Sequence, residues 1–210
     1  MERIICVLIG YIFGLFQTGF LYGKTQKVDI RNHGSGNSGT TNAIRTLGWK
    51  AGVITFIGDC FKCIFAVLFV KFIYSNSMSD ALPLLGLYAG MGAVLGHNYP
   101  FYLNFKGGKG VATSVGLALV TNVWVAIVAI GAFYVVMRIT RYVSAGSMSL
   151  LAVFAVGIIL YGEIVGFGLA TVGMRYEMYG IAVFLFALSV IRHKENIKRI
   201  MNGTENKTRR

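Results

Sequence analysis

Residues 4–23 read IICVLIGYIFGLFQTGFLYG, twenty positions without a charged side chain. A helix of that length spans about 30 Å, the thickness of a hydrocarbon core. The only charged side chains ahead of the run are Glu2 and Arg3, and no small-residue cleavage pattern follows it, so it is expected to stay as a first membrane span. Beyond it the character persists: of 210 residues, 55% are hydrophobic and 13% charged, and the mean hydropathy is +0.65. Such a chain is too apolar for a soluble domain. The expectation is an all-α, polytopic membrane helix bundle forming one domain over residues 1–210. The net charge of +12 would point to nucleic acid in a soluble protein. Here the basic residues lie between and after the apolar runs, where they set orientation and meet anionic headgroups, so membrane lipid is the expected partner and nucleic acid is not.

The chain in order gives about seven spans. Residues 24–50 carry Lys24, Lys27, Arg31, Arg45 and Lys50 against Asp29 alone, which makes this segment cytoplasmic and the N-terminus external. Residues 51–73 form the second span, interrupted by Asp59 and Lys62 on one helical face, which read either as a structural ion pair near the membrane edge or as ligand groups. Cys60 and Cys63, in the same run, read as small packing residues. A polar turn over 75–80 leads to a third span over 83–95. The apolar run from Val111 to Met137 is expected as two short limbs hinged near Thr121 and Asn122, which keeps Arg138 and Arg141 inside. A further span runs to about Leu160, residues 163–177 are external, and the last span covers 178–191 with an extension at its start. The basic tail, 192–210, is cytoplasmic, and from Lys198 onward it reads as a solvated segment on anionic lipid.

Four polar motifs punctuate this pattern. In Gly34-Ser35-Gly36-Asn37-Ser38-Gly39-Thr40-Thr41-Asn42 the glycines suit a nest of backbone donors, and a short helix starting near Asn42 would aim its positive end at the same anion, with Arg45 one turn in. A flexible linker is the other reading. In Gly96-His97-Asn98-Tyr99-Pro100 through Lys106-Gly107-Gly108-Lys109-Gly110, glycines without Cβ let N–H groups converge on an anion beside two lysines. A basic turn at a membrane edge is the alternative. Ser144 and Ser147 share a face at the start of a helix, where serines also serve as caps. His193 and Asn196 share a helical face in the tail. No metal-ligand cluster is evident, and no cofactor is expected.

Taken together and in this order, these motifs, with Arg141-Tyr142-x-Ser144 and Gly203-Thr204-Glu205-Asn206-Lys207, resemble the bacterial acyl-phosphate:glycerol-3-phosphate acyltransferase family. The chain departs from the usual pattern at Thr40, Cys63 and Ala145-Gly146. The resemblance implies seven membrane helices, a cytoplasmic C-terminus, and a multi-pass enzyme of the inner cell membrane with its active site facing the cytoplasm. It implies transfer of an acyl group from acyl phosphate to the 1-hydroxyl of sn-glycerol 3-phosphate. Carried over residue by residue, Ser35, Gly36 and Asn37 with Lys109 would hold the acyl-phosphate end. Arg45, Lys109, Ser144, His193 and Asn196 would hold glycerol 3-phosphate. Gly34, Thr41, Asn42, Lys106, Gly107, Gly108, Gly110 and Ser147 complete the candidate binding set, and Ser35, His97 and Lys109 are the catalytic candidates. His97 could act as base or orient its loop, and a substrate phosphate oxygen could be the base instead. The enzyme that produces the acyl phosphate is a further candidate partner.

Two other classes are weaker. A transporter or channel for phosphorylated polyols would share the anion cradles, but every motif falls on one membrane face and no inverted repeat is visible. A P-loop nucleotide enzyme would need Ser or Thr after Lys109, where glycine stands. Nor does any histidine have an acidic residue five positions on: Ser38, Tyr102 and Lys198 follow His33, His97 and His193 at that spacing. That pairing serves thioester-using acyltransferases by strengthening the imidazole base, so its absence favours acyl phosphate as donor.

Overall fold

The computed structural model describes residues 1–208; the last two residues of the expected basic tail, Arg209 and Arg210, lie outside them. Among the described residues the chain is all helical. The helices are α1 (Glu2–Gly14), α2 (Thr18–Thr25), α3 (Thr40–Leu47), α4 (Trp49–Tyr74), α5 (Leu82–Asn98), α6 (Val111–Thr121), α7 (Val123–Thr140), α8 (Val143–Ile164), α9 (Val172–Arg192) and α10 (Lys194–Met201). Six stretches are long and apolar enough to cross a membrane, with α6 a shorter apolar helix. The helices fall into two compact units, Met1–Val120 and a second from Thr121 onward.

In the first unit α1 and α5 pack through reciprocal glycines. A Cβ on Gly10 would strike the Ala89 carbonyl, and one on Gly14 the Ala93 carbonyl. From the other side, Gly92 and Gly96 of α5 lie against the backbone carbonyls of Val7 and Tyr11. Without a hydrophobic driving force between helices in lipid, such backbone approach is what holds a pair together. The same device seats α6 on α4, where Gly116 lies against the Cys60 carbonyl and the Cys60 thiol donates to the Ala112 carbonyl at 3.0 Å. Cys60 and Cys63 are buried and free, as packing residues should be.

The first apolar run is not one helix. α1 ends at Gly14 and α2 starts at Thr18, with Gln17 completely buried at the break. The run after Val111 divides at Asn122 as expected, because the Asn122 side chain caps α7 by accepting from the N–H groups of Trp124 and Val125. Its limbs are unequal, however: α6 has 11 residues and α7 has 18.

In the second unit α7, α8 and α9 bury Val125 and Ala129, Leu151, Phe154 and Ile158, and Met178 and Leu185. Gly157 on α8 fits under Val125, and Gly146 lies against the Phe133 carbonyl. The expected external segment 163–177 is helical at both ends, with a non-helical turn over 165–171. α8 continues to Ile164 and α9 begins at Val172, extending the last span at its start. The α8–α9 corner is clamped by Tyr179, whose hydroxyl donates to Glu163 at 2.9 Å, and by Arg175, which donates to the Gly162 carbonyl at 3.1 Å.

The glycine contacts make a direct prediction. Gly14→Leu should separate α1 from α5 and cost about 1–3 kcal/mol or more, lowering the thermal midpoint in detergent. Gly131→Ala, whose Cβ meets nothing within 4 Å, should leave it unchanged or slightly raised. A Gly14→Leu protein as stable as wild type would show that these glycines do not lock the pair.

Candidate active site

The first unit carries two glycine loops. In the loop before α3, Gly34 and Gly36 adopt left-handed φ of +59° and +68°, a conformation open to glycine. The loop wraps around Asn42, which is 1% exposed. The Asn42 amide donates to the carbonyls of Ile30, His33 and Asn37 and accepts from the Ser35 N–H. The N–H of Gly36 goes to the His33 carbonyl at 3.0 Å, and that of Gly39 to Asn37 Oδ1 at 2.9 Å. The expected nest of outward-pointing donors is therefore turned inward at Ser35, Gly36 and Gly39. Asn42 is the loop's internal clamp, and α3 starts two residues ahead of it, at Thr40. What this loop offers outward is the Ser35 side chain, with Arg45 exposed on α3 and Asn37 and Thr41 partly so.

The second loop is corrected in the same sense. Gly108 N–H donates to the His97 carbonyl at 3.0 Å and Gly107 N–H to the Asn98 carbonyl at 3.3 Å. These amides cap the C-terminus of α5. The glycines are required by close approach: a Cβ on Gly107 would meet the His97 carbonyl and Pro100, and one on Gly108 would meet the His97 imidazole at Nε2. Gly110 has φ +78° and lies against the Asn98 carboxamide, which is fully buried with neither polar atom hydrogen-bonded among the described residues. Charge comes from the side chains, Lys106 exposed and Lys109 half-buried. The two loops meet where Asn37 Nδ2 donates to the Gly107 carbonyl at 3.4 Å.

Beneath them lies a buried polar network. Lys62 Nζ donates to the Phe16 carbonyl at 2.7 Å and to Asp59 Oδ1 at 2.8 Å, and contacts His97 Nδ1 at 2.7 Å. Thr18 donates to the same Asp59 oxygen at 3.1 Å. Gln17 Nε2 donates to the carbonyls of His97 at 3.0 Å and Gly96 at 3.3 Å, while its Oε1 accepts from Ser38 at 3.0 Å. Asp59 and Lys62 are 1% and 5% exposed and sit near the middle of α4, level with the last turn of α5 through His97. His97 Nδ1 also lies 3.7 Å from Asp59 Oδ1, so this edge of the ring is engaged with α4 while its Nε2 edge faces Gly108.

The second unit gathers its candidates around a residue outside the candidate set, Glu205. Its Oε1 accepts from Ser144 Oγ at 3.2 Å and Asn196 Nδ2 at 2.7 Å, and its Oε2 from Arg199 Nε at 2.7 Å. Burial alone would raise its pKa, but the hydrogen bonds from Asn196 and Arg199, the Arg199 charge and the Ser144 hydroxyl together hold it below the ordinary 4.5. The tail is thus tied back at Glu205 while Lys198, residues 201–204, Asn206 and Lys207 stay exposed, and Thr208 N–H reaches the Arg141 carbonyl at 2.9 Å. Neither serine caps α8: Ser147 donates to the Val143 carbonyl at 2.8 Å. His193, 2% exposed, sets Nδ1 2.8 Å from the Ser189 carbonyl.

Of the residues that sequence reasoning left out, Gln17 was signalled as the one amide in an uncharged run, and Glu205 as an acid in a basic tail. Asn98 carried no such signal.

Comparison with known proteins points one way. A family model described as glycerol-3-phosphate acyltransferase matches residues 4–203. A glycerol-3-phosphate acyltransferase of Alkaliphilus metalliredigens is 37% identical, covering 99% of this chain and 96% of the relative. One from Clostridioides difficile is 39% identical, covering 97% and 94%. Among solved structures, PlsY, an integral membrane glycerol 3-phosphate acyltransferase, superimposes in its glycerol 3-phosphate form with TM-score 0.84 and 31% identity. Its lysophosphatidic acid form gives 0.82 and 30%. Each covers 100% of this chain and 96% of PlsY.

The Glu205 cluster has a pH signature. A carboxyl whose folded pKa is depressed contributes stability above its unfolded value, and that contribution is lost as pH falls through the folded one. Hydrogen-exchange protection of the Thr208 amide should therefore be full above about pH 4.5 and decline below it. Glu205→Gln should weaken protection at neutral pH and remove this dependence. Unchanged protection in Glu205→Gln would leave the tail held by other contacts.

Proposed function

The chain belongs to the glycerol-3-phosphate acyltransferase family, and from that premise we propose that acyl phosphate is its donor and lysophosphatidic acid and inorganic phosphate its products. The hydroxyl oxygen at position 1 of sn-glycerol 3-phosphate attacks the acyl carbon. The bond from that carbon to the phosphate oxygen breaks, phosphate leaves, and the hydroxyl proton passes to a phosphate oxygen of a substrate.

The observation that carries the donor is the placement of His97. Its Nδ1 is engaged by Lys62 Nζ at 2.7 Å, and on our reading the ring positions its loop and is not the base on which a poor leaving group would depend. A mixed anhydride has a good leaving group and brings its own acceptor oxygens, so positioning and charge stabilisation suffice. In the first unit we assign the side chains of Ser35, Asn37 and Lys109 to the acyl phosphate, with Arg45 and Lys106 supplying further cationic contacts to substrate phosphate and Gly36, its N–H held by the His33 carbonyl, shaping the loop. Ser144, His193 and Asn196, in the second unit, are assigned to glycerol 3-phosphate on the resemblance of their motifs. Asn42, Gly107, Gly108 and Gly110 shape the loops, and Ser147 is closed onto its own helix. The reading takes residues 1–210 as one acyltransferase domain, which a family match spanning both units supports. It excludes a transporter, since the chemistry consumes the phosphorylated polyol. An enzyme that makes acyl phosphate must supply the donor.

Purified protein should form lysophosphatidic acid from acyl phosphate and glycerol 3-phosphate without added metal or nucleotide, and Lys109→Ala should lose on the order of a hundredfold or more in kcat. Efficient product formation from an acyl-CoA or acyl carrier protein thioester, with no acyl phosphate present, would overturn the donor assignment.

Orientation follows from charge. The basic segments 24–50, 104–111, 138–141 and 192–210 hold all of the net positive charge, which supports an external N-terminus, a cytoplasmic C-terminus and active loops facing the cytoplasm of the inner membrane. In a cysteine-free background, single cysteines replacing Ser38, Lys106, Arg138 or Thr204 should all be protected from an impermeant external thiol reagent. Labelling of the Arg138 variant from outside would reverse the placement of α7.

A further inference from the structure

We infer that Lys62 and Asp59 are positioning residues for the acyl transfer, acting through His97 to fix the tautomer of its ring and the height of the glycine-lysine loop. The inference rests on the acyltransferase reading and asks what the buried network contributes to it.

Two charges near the middle of an apolar helix cost several kcal/mol each to desolvate, and an apolar pair in their place is often neutral or stabilising. A neutral donor would satisfy the Phe16 carbonyl equally well. What an ammonium does that a hydroxyl or amide cannot is donate only. Against Lys62 Nζ, His97 Nδ1 has one option, to accept, and the ring proton is confined to Nε2. A hydroxyl there could donate or accept and would leave both tautomers open. Asp59, 2.8 Å from the same nitrogen and itself held by Thr18, favours the charged form of Lys62 and aims it.

The ring so fixed is a platform. Its Nε2 edge lies directly beneath Gly108, where a Cβ would overlap it. The His97 carbonyl is gripped on one side by Gln17 Nε2 and on the other by Gly108 N–H, both at 3.0 Å. Movement or rotation of the imidazole must therefore move Gly108 and, one residue on, Lys109. A catalytic side chain misplaced by about 1 Å can cost a hundredfold in rate, so the network bears on turnover although it lies beneath the loop.

The experiment has two readouts. In nitrogen-15 histidine NMR of the full-length protein in detergent at pH 7, His97, assigned by loss of its signals in His97→Gln, should show an unprotonated Nδ1 and a protonated Nε2. A protonated Nδ1 in wild type would overturn the inference whatever the variants do. The double variant Asp59→Asn/Lys62→Met, which leaves no unpaired buried charge, should show His97 in mixed tautomers. Its kcat with acyl phosphate should fall about tenfold or more, while thermal stability stays near wild type. A folded double variant with wild-type kcat would reduce the network to a structural pair. If the double variant does not fold, the wild-type spectrum decides. Failure of the wild type to use acyl phosphate would sink the donor assignment alone, because the tautomer is read without turnover.

Discussion

The first unit depends on how three carbonyls are satisfied. Where α1 stops at Gly14, the helix no longer offers N–H partners to the residues that follow, and in hydrocarbon no water replaces them. Each carbonyl meets a side chain from elsewhere. Gly14 receives Gln17 Nε2 at 3.3 Å, Leu15 the Tyr102 hydroxyl at 2.7 Å, and Phe16 the Lys62 ammonium at 2.7 Å. Those three donors draw the break, α4 and the end of α5 to one point. The α1–α5 glycines bring Gly96 and His97 beside Gln17, and Gln17 in turn ties Ser38 of the first loop to the backbone beneath the second. The two glycine loops are thus set by an interruption in an apolar helix.

This arrangement changes what the glycines are for. A run of glycines and lysines invites reading as an anion nest, because glycine allows backbone donors to converge. Here the Gly107 and Gly108 donors close the end of α5, and the missing Cβ atoms let the loop rest on the His97 ring. The backbone supplies shape while Lys106, Lys109 and Arg45 supply charge. That division suits a substrate with a large mobile chain: side-chain cations adjust to a phosphate, whereas a loop pinned to a helix end holds its position through turnover.

Legibility in the sequence followed the range of the interaction. Long apolar runs report burial in lipid directly, so α4 and most of α8 could be placed from composition, whereas the first turns of α9, which hold Arg175 and Glu177, read as external. Asn122 could be read because capping is local, with the side chain bonded to amides two and three residues on. Gln17 could not, since one amide in an uncharged run is tolerated in many spans and its partners Ser38 and His97 are distant in sequence. The same holds for Asn42 and Glu205. Their residue types suggested polar work, but whether an amide faces a ligand or its own loop depends on contacts that spacing does not encode. Lys62 was placed on the right face with Asp59; its third partner, thirty-five residues on, was invisible.

Both buried ionic clusters serve irregular backbone rather than packing. Asp59 and Lys62 hold the α1–α2 break and the end of α5, and Glu205 with Arg199 holds the returning tail against the start of α8 through Ser144. Each lies at a helix end or break, whereas the α1–α5 and α7–α8 contacts along the helices are made by glycine and apolar side chains. The distribution has a physical cause. Helices satisfy their own backbone and need only fit, so apolar packing is enough for them. Loops and breaks expose unpaired groups to a medium that cannot solvate them; neutral donors such as Gln17 and Tyr102 satisfy some of them, and a charge-assisted hydrogen bond, roughly twice as strong as a neutral one, satisfies others. In a chain this apolar, these buried charges therefore mark places where the backbone leaves the helix and is still held.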